Sequence, residues 1–319
     1  MQRRVSRSGA PHAQQHGSFR MQNDDRRLGL IGLGLIGTAL ARRLIAAGFS
    51  VDGYDPAAEA RERLVGSGGT PVGSIAEIAK TCRRVLVAVF DTAQVEAVTE
   101  GSDGLLAVPE GERATRQVLS FSTCDPDRIA ALAARLQARG LDLLETPLSG
   151  ASDQVARGEA VCLVGGERAT LEACRDILDV VCAKSFFMGA AGNGGKAKLA
   201  TNLVLGLNRA AIAEGLVYAE RLGLPLDLFF DELRQSAAYS AVMDVKGPKM
   251  IARDYQAFGK VSQSAKDFAL ILQTAGATGQ ALPFAETYAA MMADAVAAGQ
   301  GDLDNSAIVE AVRRQRRAT

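Results

Sequence analysis

The chain has 319 residues, 48% of them hydrophobic but only 5% aromatic, enough for two domains packed mainly by Ala, Leu, Val and Ile. Its 36 basic and 36 acidic side chains cancel, but residues 1–27 carry six arginines against two aspartates. The rest is therefore mildly acidic, which argues against nucleic-acid binding, and no long uncharged apolar run suggests a membrane span.

Residues 1–27 lack hydrophobic periodicity and are expected to be a disordered tail. Their Arg and Ser content resembles an organelle transit peptide, but the reading preferred here is a solvated tail, or a true start at Met21. From Leu28, LGLIGLG reads as a buried strand and a glycine turn, and the following stretch as a helix ended by Gly48. Residues 49–55 form a second strand, followed by a helix opening with Pro56. Residues 84–90, 117–122 and 141–147 are three more short strands, with 160–166 and 183–189 as a sixth and seventh. Strands alternating with helices predict a mostly parallel sheet covered on both faces. After Gly195 one long helical pattern begins, and four or five helical segments follow it without a convincing strand. The expected organisation is α/β: a Rossmann-type domain over 28–191, then an all-α domain over 192–319 that opens with a long interdomain helix.

Gly32-Leu33-Gly34-Leu35-Ile36-Gly37 is a GxGxxG set directly after a strand and at the start of a helix. In that context the glycines allow a tight turn, close approach to a pyrophosphate and close helix–strand packing. Asp55, eighteen residues after Gly37, closes the second strand, where a carboxylate accepts bonds from the adenosine ribose and repels a 2′-phosphate. NAD is therefore expected over NADP, although Arg61 and Arg63 nearby soften the preference.

The chemistry must proceed without histidine in the folded body, since the only two are His12 and His16. That excludes Ser-His-Asp hydrolysis, Cys-His proteolysis and the histidine acid/base of lactate-type dehydrogenases, leaving Lys, Tyr, Asp, Glu and Cys. Five cysteines with no CxxC pair give neither a disulfide framework nor a zinc site and fit a reducing compartment, hence the cytoplasm. Lys198 and Asn202 are one turn apart on one helix face, while Lys196 points away. A lysine at a domain junction beside a cofactor should have a lowered pKa and can accept a proton.

Several segments occur in a telling order: Ser122-Thr123 with Pro126, then Pro147-Leu148-Ser149-Gly150 with Gly158. Gly192-Asn193-Gly194-Gly195-Lys196-Ala197-Lys198 with Asn202, Lys266-Asp267 and Gly301-Asp302-Leu303-Asp304 complete the set. Together they resemble the β-hydroxyacid dehydrogenase family, which includes 3-hydroxyisobutyrate dehydrogenase, tartronate semialdehyde reductase and the 6-phosphogluconate dehydrogenases. The resemblance spans roughly residues 28–312. It implies a 6-phosphogluconate dehydrogenase-like architecture, Lys198 as the catalytic lysine and Asn202 as its substrate-bonding partner. It further implies a substrate-carboxylate loop at Ser149 and Gly150, and Thr123 and Lys266 at the nicotinamide end of the pocket. A homodimer or homotetramer and a small hydroxy acid, 3-hydroxyisobutyrate-like, are expected with it.

The sequence departs from the family at Ala151, Gln154-Val155, Thr201 and Ser120, changes expected to surround the carboxylate pocket. The chain lacks the basic and histidine residues of the 6-phosphogluconate branch. Tyr239 or Ser240 are candidate pocket residues, Cys124 could lie near the cofactor but more simply reads as a small buried hydrophobe, and Glu214 and Tyr54 read as structural. Two rival functions are an imine reductase on the same architecture, disfavoured by Lys198, and a dinucleotide-binding scaffold without catalysis.

Overall fold

The computed structural model describes residues 26–315. The expectations for a disordered or targeting tail fall almost entirely outside these residues. Arg27, assigned to the tail from sequence, is instead the first residue of a strand, and its guanidinium pairs with Asp52 at 2.7 Å.

The first half alternates as the sequence predicts: β1 (Arg27–Ile31), α1 (Leu35–Ala46), β2 (Ser50–Tyr54), α2 (Ala58–Gly66), β3 (Thr70–Pro71), α3 (Ile75–Thr81), β4 (Arg84–Val87) and α4 (Thr92–Glu100). Then come β5 (Gln117–Ser120), α5 (Pro126–Gln137), β6 (Asp142–Glu145), β7 (Leu148–Ser149), α6 (Ser152–Arg157), β8 (Val161–Gly165), α7 (Arg168–Ala173), α8 (Arg175–Val181) and β9 (Lys184–Gly189). The strands form one sheet in the order β3-β2-β1-β4-β5-β6-β8-β7, with β9 paired to β8. Strands β1 to β6 run parallel, whereas β8 is antiparallel to both β6 and β7. Two strands were not legible in the sequence. Both β3 and β7 are two residues long, too short for a period-2 signal, and Pro71 places β3 at the sheet edge.

Alternate residues of the strands feed two cores. Leu28, Leu30 and Leu86 face α1, α6 and α8 on one side; Ile31, Val85 and Val87 face α3, α4 and α5 on the other. Because the chain passes from β1 to β2 on one side and to β4 on the other, a crevice opens at the carboxyl ends of β1 and β4, where ligands bind in sheets of this kind.

After β9 the chain is helical: α9 (Asn193–Arg221), α10 (Leu226–Gln235), α11 (Val242–Ala252), α12 (Val261–Ala277), α13 (Pro283–Ala295) and α14 (Ile308–Arg314). With 29 residues α9 runs about 43 Å, long enough to leave the sheet and become the axis of a helical cluster. Phe268 and Tyr288 stack against its middle, ring centroids 4.2 Å apart, in the third core. No helix among the described residues is long and apolar enough to cross a membrane.

Side chains of the helical half reach back to the ends of β4 and β5. The Lys266 ammonium donates to the carbonyls of Phe90 (3.0 Å) and Thr123 (2.8 Å), and Gln273 donates to Asp125 Oδ2 at 2.9 Å. From the other side, Ser152 donates through its backbone N–H and its hydroxyl to the Phe258 carbonyl.

Candidate active site

The glycine motif turns at the carboxyl end of β1. Gly32 has φ +92°, a region that L side chains rarely adopt, and a Cβ on Gly37 would stand 1.9 Å from the Gly32 carbonyl oxygen. A Cβ on Gly34 would meet nothing within 4 Å, so the backbone there faces open space at the first turn of α1, whose orphan N–H groups and dipole favour an anion. A dinucleotide pyrophosphate fits this cradle. Leu35 is exposed and Ile36 lines the neighbouring cavity. Leu33 differs from its motif neighbours: its side chain is buried in the core and its N–H donates to Asp55 Oδ2 at 2.8 Å. Asp55 thus ties β2 to the glycine turn, and its Oδ1 accepts from the Ala57 N–H. Its half-exposed carboxylate keeps free lone pairs at the strand end for a ribose. Arg61 donates to the Asp55 and Pro56 carbonyls, so its charge sits at that rim.

Beyond the cradle lies a cavity of about 300 Å³ between the sheet and the helical half. Thr123, Ser149, Gly150, Lys198 and Asn202, the residues singled out in sequence for substrate, all line it. Ser149 arrives on β7, and Gly150, at φ +149°, turns the chain into α6. Gln154, one of the positions at which the sequence departs from the family, caps that helix by accepting the Ala151 N–H at 2.9 Å while also facing the cavity; Val155 is fully buried in the core.

Lys198 is held by the way α9 begins. The buried Glu145 carboxylate, at the end of β6, accepts N–H bonds from Gly192 and, at 2.6 Å, from Gly195. It caps the first turn with negative charge where the helix dipole favours it. Burial pushes its carboxyl above the usual range, although the two backbone bonds oppose this. No sequence motif singled out Glu145; the nearest signal was its place in Glu145-Thr146-Pro147, just before the serine loop. Lys198 follows Gly195 by three residues and is 7% exposed, while Lys196 is solvated, as the helix phase requires. Burial lowers the Lys198 amine to about 8, with Asp267 opposing the shift and Lys266 and Arg209 adding to it. Asn202 donates to Asp267 Oδ2 at 2.8 Å, and Asp267 Oδ1 lies 3.0 Å from the Lys266 ammonium. This network fixes Asn202 one turn beyond Lys198.

Some expectations are corrected. Tyr239 is 48% exposed and donates to Asp244, and neither it nor Ser240 reaches the cavity wall. Ala241, Val242, Val245 and Lys246 line the wall instead. Ser120 is buried within the sheet and does not border the carboxylate pocket. Cys124, by contrast, meets its simpler expectation: it is buried, and its thiol is pushed up to about 11 by that burial, so it is an inert packing residue. Lys266, expected at the nicotinamide end of the pocket, is not one of these corrections; it donates to the Phe90 and Thr123 carbonyls and pairs with Asp267, and so clamps the loops after β4 and β5. Sequence reasoning missed Asp267 as a network member, although it stands in the Lys266-Asp267 pair, and missed Lys246 and Arg209, single basic residues in helices with no motif around them.

A pyrophosphate cradle, a ribose carboxylate and a buried lysine of lowered pKa on one crevice define a nicotinamide-dependent oxidoreductase. Residues 27–189 match the profile of the NAD-binding domain of 6-phosphogluconate dehydrogenase, and residues 192–312 that of the NAD-binding domain of NADP-dependent 3-hydroxyisobutyrate dehydrogenase. An L-threonate dehydrogenase of Cupriavidus necator is 32% identical over 286 residues, covering 89% of this chain and 95% of that one. Glyoxylate/succinic semialdehyde reductase 1 of Arabidopsis thaliana is 29% identical, covering 91% and 99%. The solved structure of a 3-hydroxyisobutyrate dehydrogenase from Salmonella typhimurium superposes with a TM-score of 0.80 at 30% identity, covering 89% of this chain and 99% of that one. The chain belongs to the β-hydroxyacid dehydrogenase family and is an NAD(P)-dependent enzyme acting on CH–OH donors.

Proposed function

We propose that Lys198 is the general acid/base of a dehydrogenase that oxidises the hydroxyl of a small hydroxy acid. The observation that carries this reading is the placement of the buried, pKa-lowered Lys198 on the same cavity as Asn202 and the Ser149-Gly150 loop. The substrate carboxylate docks on the Ser149-Gly150 loop, and Asn202, oriented by Asp267, bonds the substrate hydroxyl. In oxidation, the neutral Lys198 amine accepts the hydroxyl proton as the carbinol C–H bond breaks. When bound, NAD(P) supplies the acceptor for the hydride, leaving a carbonyl product. In reduction, the Lys198 ammonium returns a proton to the forming alkoxide. Gly32, Gly34, Leu35, Ile36 and Gly37 hold the dinucleotide at the turn, with Leu33 positioning Asp55. Thr123 and Lys266 border the nicotinamide end, with Lys266 acting through the loops it clamps. The Asp55 carboxylate disfavours a 2′-phosphate, so NAD is preferred over NADP.

The names of the relatives support a four-carbon hydroxy acid, of the L-threonate or 3-hydroxyisobutyrate kind. An imine reductase on the same fold has no use for a base held to deprotonate a hydroxyl, so Lys198 favours the dehydrogenase. A homo-oligomer built through the helical half is proposed on the exposed Val204, Tyr218, Leu228 and Phe284. Reduced, buried cysteines support a cytoplasmic location. A panel of hydroxy acids with NAD, followed at the NADH absorbance band, tests the reading. Turnover of at least one four-carbon hydroxy acid is expected; a silent panel in both directions and with both cofactors would leave a dinucleotide-binding scaffold.

A further inference from the structure

Four cationic side chains line the substrate cavity, and three have an assigned role or counter-charge. Lys246 is paired with Asp304 at 2.8 and 2.9 Å, and Lys260 with Asp302 at 2.7 Å. Lys198 is the acid/base of the proposed reaction. The fourth is Arg209, 5% exposed, on the same face of α9 as Lys198 and Asn202 but further along the helix. Its Nε and Nη2 both donate to the Tyr288 phenol oxygen, at 3.1 and 2.8 Å, and its guanidinium carbon lies 5.8 Å from that ring. Among the described residues no carboxylate lies within ion-pair distance of it. Asp267, the one acidic side chain on the cavity wall, is engaged by Lys266 and Asn202.

A guanidinium carries five N–H donors and keeps its charge. Burying it against one neutral oxygen is costly, and buried charges are ordinarily paired. Packing alone would be met more cheaply here by an apolar side chain, since Leu205 on the same stripe also faces the cavity. Other donors on this wall are already engaged: the Phe258 and Gly259 N–H groups donate to Asp304, and the Asn305 amide donates to the Ser264 hydroxyl. Of the cations on this wall, Arg209 is the one left to meet an incoming negative charge.

We propose that Arg209 binds a second carboxylate on the substrate, so that the enzyme prefers hydroxy-dicarboxylates over hydroxy-monocarboxylates. This rests on the dehydrogenase reading above: one carboxylate at the Ser149-Gly150 loop, the carbinol between Lys198 and Asn202, and the second carboxylate on the free edge of the guanidinium. The fork geometry of arginine suits a planar carboxylate in two parallel hydrogen bonds.

The test uses pairs of equal chain length that differ in the terminal carboxylate, malate with 3-hydroxybutyrate and 3-hydroxyglutarate with 3-hydroxypentanoate. A non-oxidisable diacid, glutarate, is titrated calorimetrically into the NAD-loaded enzyme. The wild type should show the higher kcat/KM for the dicarboxylate in at least one pair and should bind glutarate. Arg209→Met should lower the dicarboxylate kcat/KM about a hundredfold more than that of its partner, mostly through KM, and abolish glutarate binding. Arg209→Lys, which keeps the charge but not the fork, should recover part of the preference. Glutarate binding without turnover of any hydroxy acid would sustain the inference while sinking the dehydrogenase reading. Turnover of monocarboxylates with neither a dicarboxylate preference nor glutarate binding in the wild type would overturn the inference alone, whether or not the Met variant folds.

Discussion

The lowered pKa of Lys198 gives the pH dependence of the reaction a definite shape. Oxidation needs the neutral amine, so its rate should rise tenfold per pH unit below about 8 and level off above it. Reduction needs the ammonium, so its rate should be flat below about 8 and fall above it. A free lysine near 10.4 would be about 0.04% neutral at pH 7, whereas one near 8 is about 9% neutral, a gain of roughly two hundredfold in competent enzyme. The neighbours set the direction of further shifts. Asp267 raises the amine, so Asp267→Asn should move the midpoint down; Lys266 lowers it, so Lys266→Met should move the midpoint up. Initial rates of NADH formation and consumption at constant ionic strength, from pH 6 to 10, would read these midpoints. Limbs of the same sign in both directions, or a midpoint near 10 in the wild type, would refute the assignment.

Other perturbations probe the frame around the lysine. Asp55→Ala should narrow the preference for NAD over NADP, measured as the ratio of kcat/KM values; a wild type that already prefers NADP would remove Asp55 from that role. Gly37→Ala places a methyl 1.9 Å from the Gly32 carbonyl oxygen and should abolish tight NADH binding, as read by nucleotide fluorescence. Lys246→Met strands the fully buried Asp304 carboxylate, which caps the turn at Ser306 and holds the Phe258 and Gly259 N–H groups. It should cost about 3–5 kcal/mol, seen as a fall in Tm; an unchanged Tm would show that the pair contributes little.

Much of this was legible in the sequence because the signals were local. The GxGxxG needed only its flanking strand and helix, and the i, i+4 spacing of Lys198 and Asn202 fixed their shared face without any tertiary knowledge. Lys196 and Lys198 were separated by helix phase alone. What stayed hidden depends on chain segments far apart in sequence. Glu145 caps α9 across 50 residues, Lys266 clamps carbonyls up to 176 residues away, and Asp304 meets Lys246 across 58. None of these leaves a periodic trace. Tyr239 does not line the cavity because its half-exposed ring turns its hydroxyl to Asp244 on the next helix, a contact that no local pattern announces. The short β3 and β7 were invisible for want of length, although β7 delivers the serine loop.

The central claim is that the amine of Lys198, and not the general basicity of this helix, moves the proton. Single-turnover NADH formation on a hydroxy acid that the wild type oxidises, compared among wild type, Lys198→Met and Lys196→Met at one saturating cofactor concentration, tests it most directly. Lys198→Met should be slower by about 10²–10⁴-fold, the usual contribution of a positioned acid/base, with NADH affinity retained. Lys196→Met, altered on the solvated face, should stay near the wild-type rate. Near-wild-type turnover by Lys198→Met would contradict the account.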